Sequence, residues 1–140
     1  MKDKSFLDTN VLVYAYDRHD PRKQETAQAL LTEAIEHESA VLSVQVLGEF
    51  FNVVTRQIKQ PMTTDEAQEA VSLLSHLPVQ DIDLELVKRA IATHKMYRIS
   101  YWDALIVAAA ERAQCKQILT EDLSDGQIYH GVLVSNPFKE

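Results

Sequence analysis

The chain has 140 residues, 46% of them hydrophobic, with only 3 glycines and 4 prolines. That is enough apolar material for the core of one ordinary domain, read as spanning 1–140, and it excludes a linker-rich or low-complexity protein. A net charge of −7 speaks against holding nucleic acid by bulk electrostatics, but not against an excess of acids gathered in one cation-binding cleft.

Residues 5–7 read as a short buried strand ending at Asp8, and 11–16, apolar all round, as a short buried helix. Asp20-Pro21 is a helix start, an acidic cap followed by proline at the first helical position, and Ala27, Leu30, Leu31, Ala34 and Ile35 fall on one face of that helix. A second strand at 40–43 leads into a helix with Leu47, Phe50, Phe51, Val54 and Ile58 inward. Thr63 and Glu66 form a capping box for the next helix, which turns Ala67, Ala70, Val71 and Leu74 inward.

A third strand at 79–82 follows Leu77-Pro78, and Asp83 caps a helix expected to bury Leu84, Val87, Ile91 and His94. The stretch 101–113 is apolar on nearly every face and so reads as a central helix, with Trp102 taken as core. Residues 117–119 and 132–134 supply the fourth and fifth strands, separated by a polar loop at 120–126. Strands alternating with helices imply an α/β fold: a mostly parallel sheet of about five short strands covered on both faces.

In such a fold the strand C-terminal ends share one edge. Asp8 lies at such an end, Asp122 just beyond another, Glu49 about two turns into the helix after the second strand, and Asp103 in the first turn of the central helix. Acidic oxygens gathered at one edge either take up protons or bind a hard cation. Each also has an ordinary reading: Asp8 as a helix cap, Glu49 as a solvated helix residue, Asp103 as a complement to the helix dipole, Asp122 as a turn residue. Thr9 and Asn10 divide between satisfying the turn's backbone and orienting the acids, and Ser43 between cap and site. Arg18, Arg22, Lys23, Arg56, Lys59 and Arg98 are candidate phosphate contacts, although scattered basic residues are ordinarily solvated.

Four segments carry a family resemblance. Phe6-Leu7-Asp8-Thr9-Asn10-Val11-Leu12 resembles the opening of PIN-domain nucleases. Leu42-Ser43-Val44-Gln45-Val46-Leu47-Gly48-Glu49-Phe50 resembles their second motif and Ser100-Tyr101-Trp102-Asp103-Ala104-Leu105-Ile106 their third. Leu119-Thr120-Glu121-Asp122-Leu123-Ser124-Asp125-Gly126, with Val134-Ser135-Asn136-Pro137-Phe138, resembles the closing segment of VapC-type toxins.

The resemblance implies a three-layer α/β/α sandwich and a Mg²⁺-dependent (Mn²⁺ also possible) endoribonuclease, the toxin of a type II toxin–antitoxin pair. It implies that Asp8, Glu49, Asp103 and Asp122 form the acidic quartet, supported by Thr9 or Asn10. Within the loop, Glu121 and Asp125 compete with Asp122 for the fourth place. The implied partners are an RNA substrate, a small cognate antitoxin and a second copy in a homodimer. A nuclease-shaped interaction module without activity, or a nuclease acting on structured DNA, are the rival readings. Phosphate-cradling and nucleophile-elbow signatures of other α/β enzymes are missing from the chain. No apolar run is long enough to cross a bilayer, no leader-like segment is present and the lone Cys115 cannot form an internal disulfide, so a cytoplasmic setting without a membrane partner is expected.

Overall fold

The computed structural model describes residues 3–139, so Met1, Lys2 and Glu140 of the expected 1–140 domain lie outside the described residues. In chain order the elements are β1 (Ser5–Leu7), α1 (Thr9–Tyr16), α2 (Pro21–His37), β2 (Ala40–Ser43), α3 (Val44–Arg56), α4 (Thr64–Leu74), β3 (Val79–Gln80), α5 (Leu84–Tyr97), α6 (Tyr101–Arg112), β4 (Gln117–Leu119), β5 (Ile128–Tyr129) and β6 (Val132–Ser135). The helix starts follow from side-chain caps. Asp20 Oδ1 accepts from the Lys23 N–H at 3.1 Å with Pro21 at the first position, and Asp83 Oδ1 accepts from the Leu86 N–H at 2.8 Å. Thr63 and Glu66 complete the expected capping box. Ser43 is a cap as well: fully buried, it accepts from the Val46 N–H at the head of α3.

The sheet has six strands in the order β3-β2-β1-β4-β6-β5, parallel throughout except for the β5–β6 pair. The added strand is β5, which the sequence reading missed. It is joined to β6 by a tight turn in which His130 and Gly131 both have positive φ, 51° and 79°, the geometry two-residue hairpins need. Helices α1 to α4 pack in a chain, α1 on α2 and α3, and α3 on α4, whereas α5 and α6 pair with each other and α6 lies against β2, β4 and β6.

The central-helix expectation for α6 holds over Ala104–Ala110, every residue of which is buried. Trp102 is the exception: in the first turn of α6, before the buried stretch begins, the residue is 62% exposed. The inner face of α5 also differs from expectation. Leu84 and Ile91 are exposed, and Leu86, Ala90 and Thr93 are buried instead. Small residues at 90 and 93 let α5 approach the alanine-rich α6, so close packing rather than bulk apolarity selects the face. Ile35 of α2 is likewise exposed. Among the described residues no helix is long and apolar enough to cross a membrane.

Chain order reverses beside β1: the chain steps outward to β2 and β3, then returns to lay β4 on the other side of β1. Such a switch point opens a crevice beyond the strand ends. Leu7 pairs with Leu119 at the ends of β1 and β4, so the residues that follow each strand, Asp8 and Thr120, emerge side by side.

Candidate metal centre

Asp8 ends β1 and caps α1. Its Oδ1 accepts from the Thr9 N–H at 2.7 Å and its Oδ2 from the Thr120 hydroxyl at 2.8 Å. The backbone is tied as well, with the Asp8 N–H donating to Leu119 O at 3.1 Å. Asp8 as a residue is only 6% exposed. Burial pushes its pKa up to about 6, against the two hydrogen bonds that favour the anion, and the charges of Asp122 and Glu49 push in the same direction as burial. Asp8 therefore lies within electrostatic reach of two of the other expected acids, Asp122 and Glu49.

Each of the other two is held by a neutral donor. The Thr9 hydroxyl donates to Glu49 Oε2 at 2.8 Å, and Asn10 Nδ2 donates to Asp122 Oδ2 at 3.0 Å. The same Asn10 nitrogen donates to Thr120 Oγ1 at 3.0 Å, which also accepts from the Asp122 N–H at 3.0 Å. Thr120 thus uses its one proton on Asp8, one lone pair on Asn10 of α1 and the other on the Asp122 N–H. Thr9 and Asn10 follow Asp8 directly, so the first turn of α1 orients all three carboxylates.

Asp103 joins this group indirectly. Its N–H is capped by Ser100 Oγ at 3.1 Å. Gln45 Nε2 donates both to Glu49 Oε1 at 3.0 Å and to the carbonyl of Trp102 at 3.3 Å, which ties the head of α6 to α3 beside Glu49. Of the acids in the 120–126 loop, Asp122 alone lines the cleft with Glu49. Glu121 turns to Tyr14 and Lys23, and Asp125 turns to the Asn136 N–H at 2.8 Å and Lys139 at 3.2 Å. The cleft has a volume of about 500 Å³, and its walls include Asn10, Val13, Tyr14, Asn52 and the acid Asp17.

Among the described residues no three carboxylate, histidine or cysteine side chains stand close enough together to grip one ion directly. Uncompensated carboxylates repel, and here Thr9, Asn10, Gln45 and Thr120 hold them in a spread arrangement. The donor set nonetheless fits a hard, hydrated cation. It offers oxygen without histidine or cysteine, and Mg²⁺ takes one or two carboxylates while keeping several waters. Gln45 Oε1, on the side chain that holds Glu49, is buried without a partner among the described residues, leaving an acceptor that a metal-bound water would satisfy.

Sequence reasoning missed Thr120, Gln45 and Tyr14. Thr120 carried one readable signal: it is a polar residue directly after a buried strand, the same place relative to β4 that Asp8 holds relative to β1.

The PIN domain family model matches residues 5–124. The chain belongs to the PIN domain family. Solved structures similar to this PIN domain include the Mycobacterium tuberculosis toxin VapC20, described as cleaving the sarcin–ricin loop, with 22% identity over 85% of this chain and 90% of that one, and a TM-score of 0.65. A toxin–antitoxin complex from Klebsiella pneumoniae has 18% identity over 96% and 98% of the two chains, with a TM-score of 0.67. VapBC2 from Rickettsia felis, bound to a DNA fragment from its promoter, has 19% identity over 94% and 97%, with a TM-score of 0.68. At these identities the likeness is one of fold. Comparison with curated proteins returned no match.

Proposed function

We propose that this PIN domain is a divalent-metal-dependent endoribonuclease and the toxin of a toxin–antitoxin pair. The observation that carries the reading is that Thr9 and Asn10, at the head of α1, hold Asp8, Glu49 and Asp122 around one crevice beyond the ends of β1 and β4, where burial and neighbouring carboxylates disfavour a lone Asp8 anion and a bound cation would offset the charge. Mg²⁺, or Mn²⁺, is the proposed ion, with Asp8 and Asp103 as direct ligands and Glu49 and Asp122 acting through water. When bound, such an ion makes a hydroxide nucleophile available near neutral pH and offsets charge on the phosphate.

The chain's own residues do the rest. Thr120 and the Thr9 N–H fix the Asp8 rotamer, Asn10 fixes Asp122, and Thr9 with Gln45 fixes Glu49 from both sides. Asp103 is assigned on its place in the first turn of α6, which Gln45 ties to α3 beside Glu49 through the Trp102 carbonyl. The cleft beside Asn10 and Tyr14 is the proposed path of the RNA strand. Solved VapBC and toxin–antitoxin complexes of this fold support a small cognate antitoxin as partner. Homodimer formation and a cytoplasmic setting belong to the same reading.

The test is RNA cleavage with and without chelator, beside an Asp8→Asn variant, followed by sequencing of the RNA ends. Metal-dependent ends that vanish in the variant support the reading and name the target. Intact RNA with bound metal points to an interaction module, and cleavage of structured DNA alone points to the other rival.

A further inference from the structure

Lys23, Glu121 and Phe138 form a cluster with the cleft-wall residue Tyr14, and the contacts among these four have no part in the proposed reaction. Lys23 Nζ lies 2.8 Å from Glu121 Oε2 and donates to Tyr14 Oη at 3.2 Å, and the Tyr14 hydroxyl donates to Glu121 Oε1. The ammonium also sits 4.7 Å from the Tyr14 ring centroid and 5.8 Å from that of Phe138. Those two rings meet edge to face, their centroids 4.9 Å apart. Tyr14 and Lys23 are both only partly exposed, so the pair is a sheltered one rather than a solvated contact.

The cluster grips the residue next to Asp122. Asn10 and Tyr14 are four apart on α1 and so share a helix face. Asn10 holds Asp122 through Nδ2 and the Glu121 N–H through Oδ1 at 3.3 Å, while Tyr14 and Lys23 hold the Glu121 side chain. Three consecutive loop residues are thereby anchored to three places: Thr120 to Asp8, Glu121 to the Lys23–Tyr14 pair, and Asp122 to Asn10. We infer that Lys23, Tyr14 and Glu121 form a latch that positions Asp122 at the metal centre, and that Glu121 is a positioning residue rather than an ion ligand. This rests on the reading of Asp122 as part of that centre. Lys23 is accordingly committed to the latch and not to phosphate.

Two measurements test it, each on the full chain. The first is amide hydrogen exchange without metal, comparing wild type with Lys23→Met and Glu121→Gln. The latch requires faster exchange at residues 121–122 in both variants, and unchanged exchange there overturns it whatever the fate of the nuclease reading. The second is Mn²⁺ titration by calorimetry. Each single variant should weaken Mn²⁺ binding by about tenfold, the scale of losing an outer partner of a metal site. The double variant should be no worse than either single, and the exchange of charges in Lys23→Glu with Glu121→Lys should recover most of the loss. Abolished binding in Glu121→Gln with none lost in Lys23→Met, and no recovery in the charge exchange, would make Glu121 a ligand and overturn the proposal. Asp122→Asn separates the two readings: Mn²⁺ binding unchanged in that variant removes Asp122 from the centre, while the exchange data still decide whether the latch exists.

Discussion

Thr120 donates its hydroxyl proton to Asp8 across 2.8 Å, although the two residues are 112 positions apart in the chain. That bond is made inside the protein, where Thr120 is fully buried, and the same oxygen accepts from Asn10 and from the Asp122 N–H. Thr120→Val keeps the shape and removes all three bonds. A loss of about 1–3 kcal/mol in urea unfolding is expected, the cost of leaving buried polar groups unpaired, together with weaker metal binding. Stability equal to wild type would mean that Thr120 is not the joint described here.

Asp8→Asn removes a buried negative charge that burial already disfavours. The variant should fold with a melting temperature at or above that of the metal-free wild type. Its cleavage should fall by more than the roughly 10- to 100-fold that outer partners of a metal ordinarily cost.

Addition of Mn²⁺ to the wild type should raise the melting temperature. An ion at about 100 times its dissociation constant adds about 2.7 kcal/mol, or on the order of 10 °C for a domain of this size. Calorimetric scans at increasing Mn²⁺ check this, and the increment should be absent in Asp8→Asn.

His130 supplies a pH dependence away from the acidic cleft. Thr93 donates its own proton to Arg89 O at 2.9 Å, so its oxygen accepts from His130 Nε2 at 3.0 Å, while Arg89 donates to Nδ1 at 3.1 Å. These partners select the neutral imidazole with its proton on Nε2. Burial holds the His130 pKa below its ordinary value, with the Arg89 charge adding to this and Glu111 opposing it. The unfolded chain therefore takes up the proton first as pH falls, and stability declines below about pH 6.5, toward the folded value. Glu111, held below the ordinary carboxylate range by Arg89, loses its contribution in the same direction at lower pH. Unfolding at pH 7.5 and pH 5.5 should give a smaller acid loss in His130→Asn than in wild type. Asparagine tolerates the positive φ at this position, and groups common to both proteins, Asp8 among them, cancel in the comparison.

Trp102 is the only tryptophan in the chain, and its 62% exposure makes it a reporter at the head of α6. Its fluorescence should be that of a solvated indole, readily quenched by acrylamide. Trp102→Ala should change stability by no more than about 0.5 kcal/mol, as for an ordinary surface position. Strong protection of the indole in dilute solution would indicate that something covers this end of α6.

The fold was legible where the signal is local. Asp20-Pro21, the Thr63–Glu66 box and the Asp83 cap announce their helices within a few residues, and the uniformly apolar 104–110 run announces a buried helix. The face of α5 was not legible, because Ala90 and Thr93 are inward only through the fit with α6. Nor was β5, two residues long and defined by a His130-Gly131 turn weaker than the usual Asn-Gly signal. At the site, Asp8, Asp103 and Asp122 drew notice by their places at strand and helix ends, and Glu49, inside α3, by its motif. The side chains that hold them could not be read: Thr120 to Asp8, Gln45 to Trp102 and Lys23 to Glu121 are joined across 112, 57 and 98 residues, and nothing in a local window reveals such a match.

The strand order has a consequence for how the molecule comes into being. β1 is made first, yet one of its two neighbours, β4, spans Gln117–Leu119. During synthesis the middle of the sheet must wait for more than a hundred further residues, since β1 pairs with β4 across 112 positions, and pairings of such long range are slow to form. A growing chain carries Asp8 before Thr120 and Asp122 have been made, and so has no assembled acidic crevice until they are.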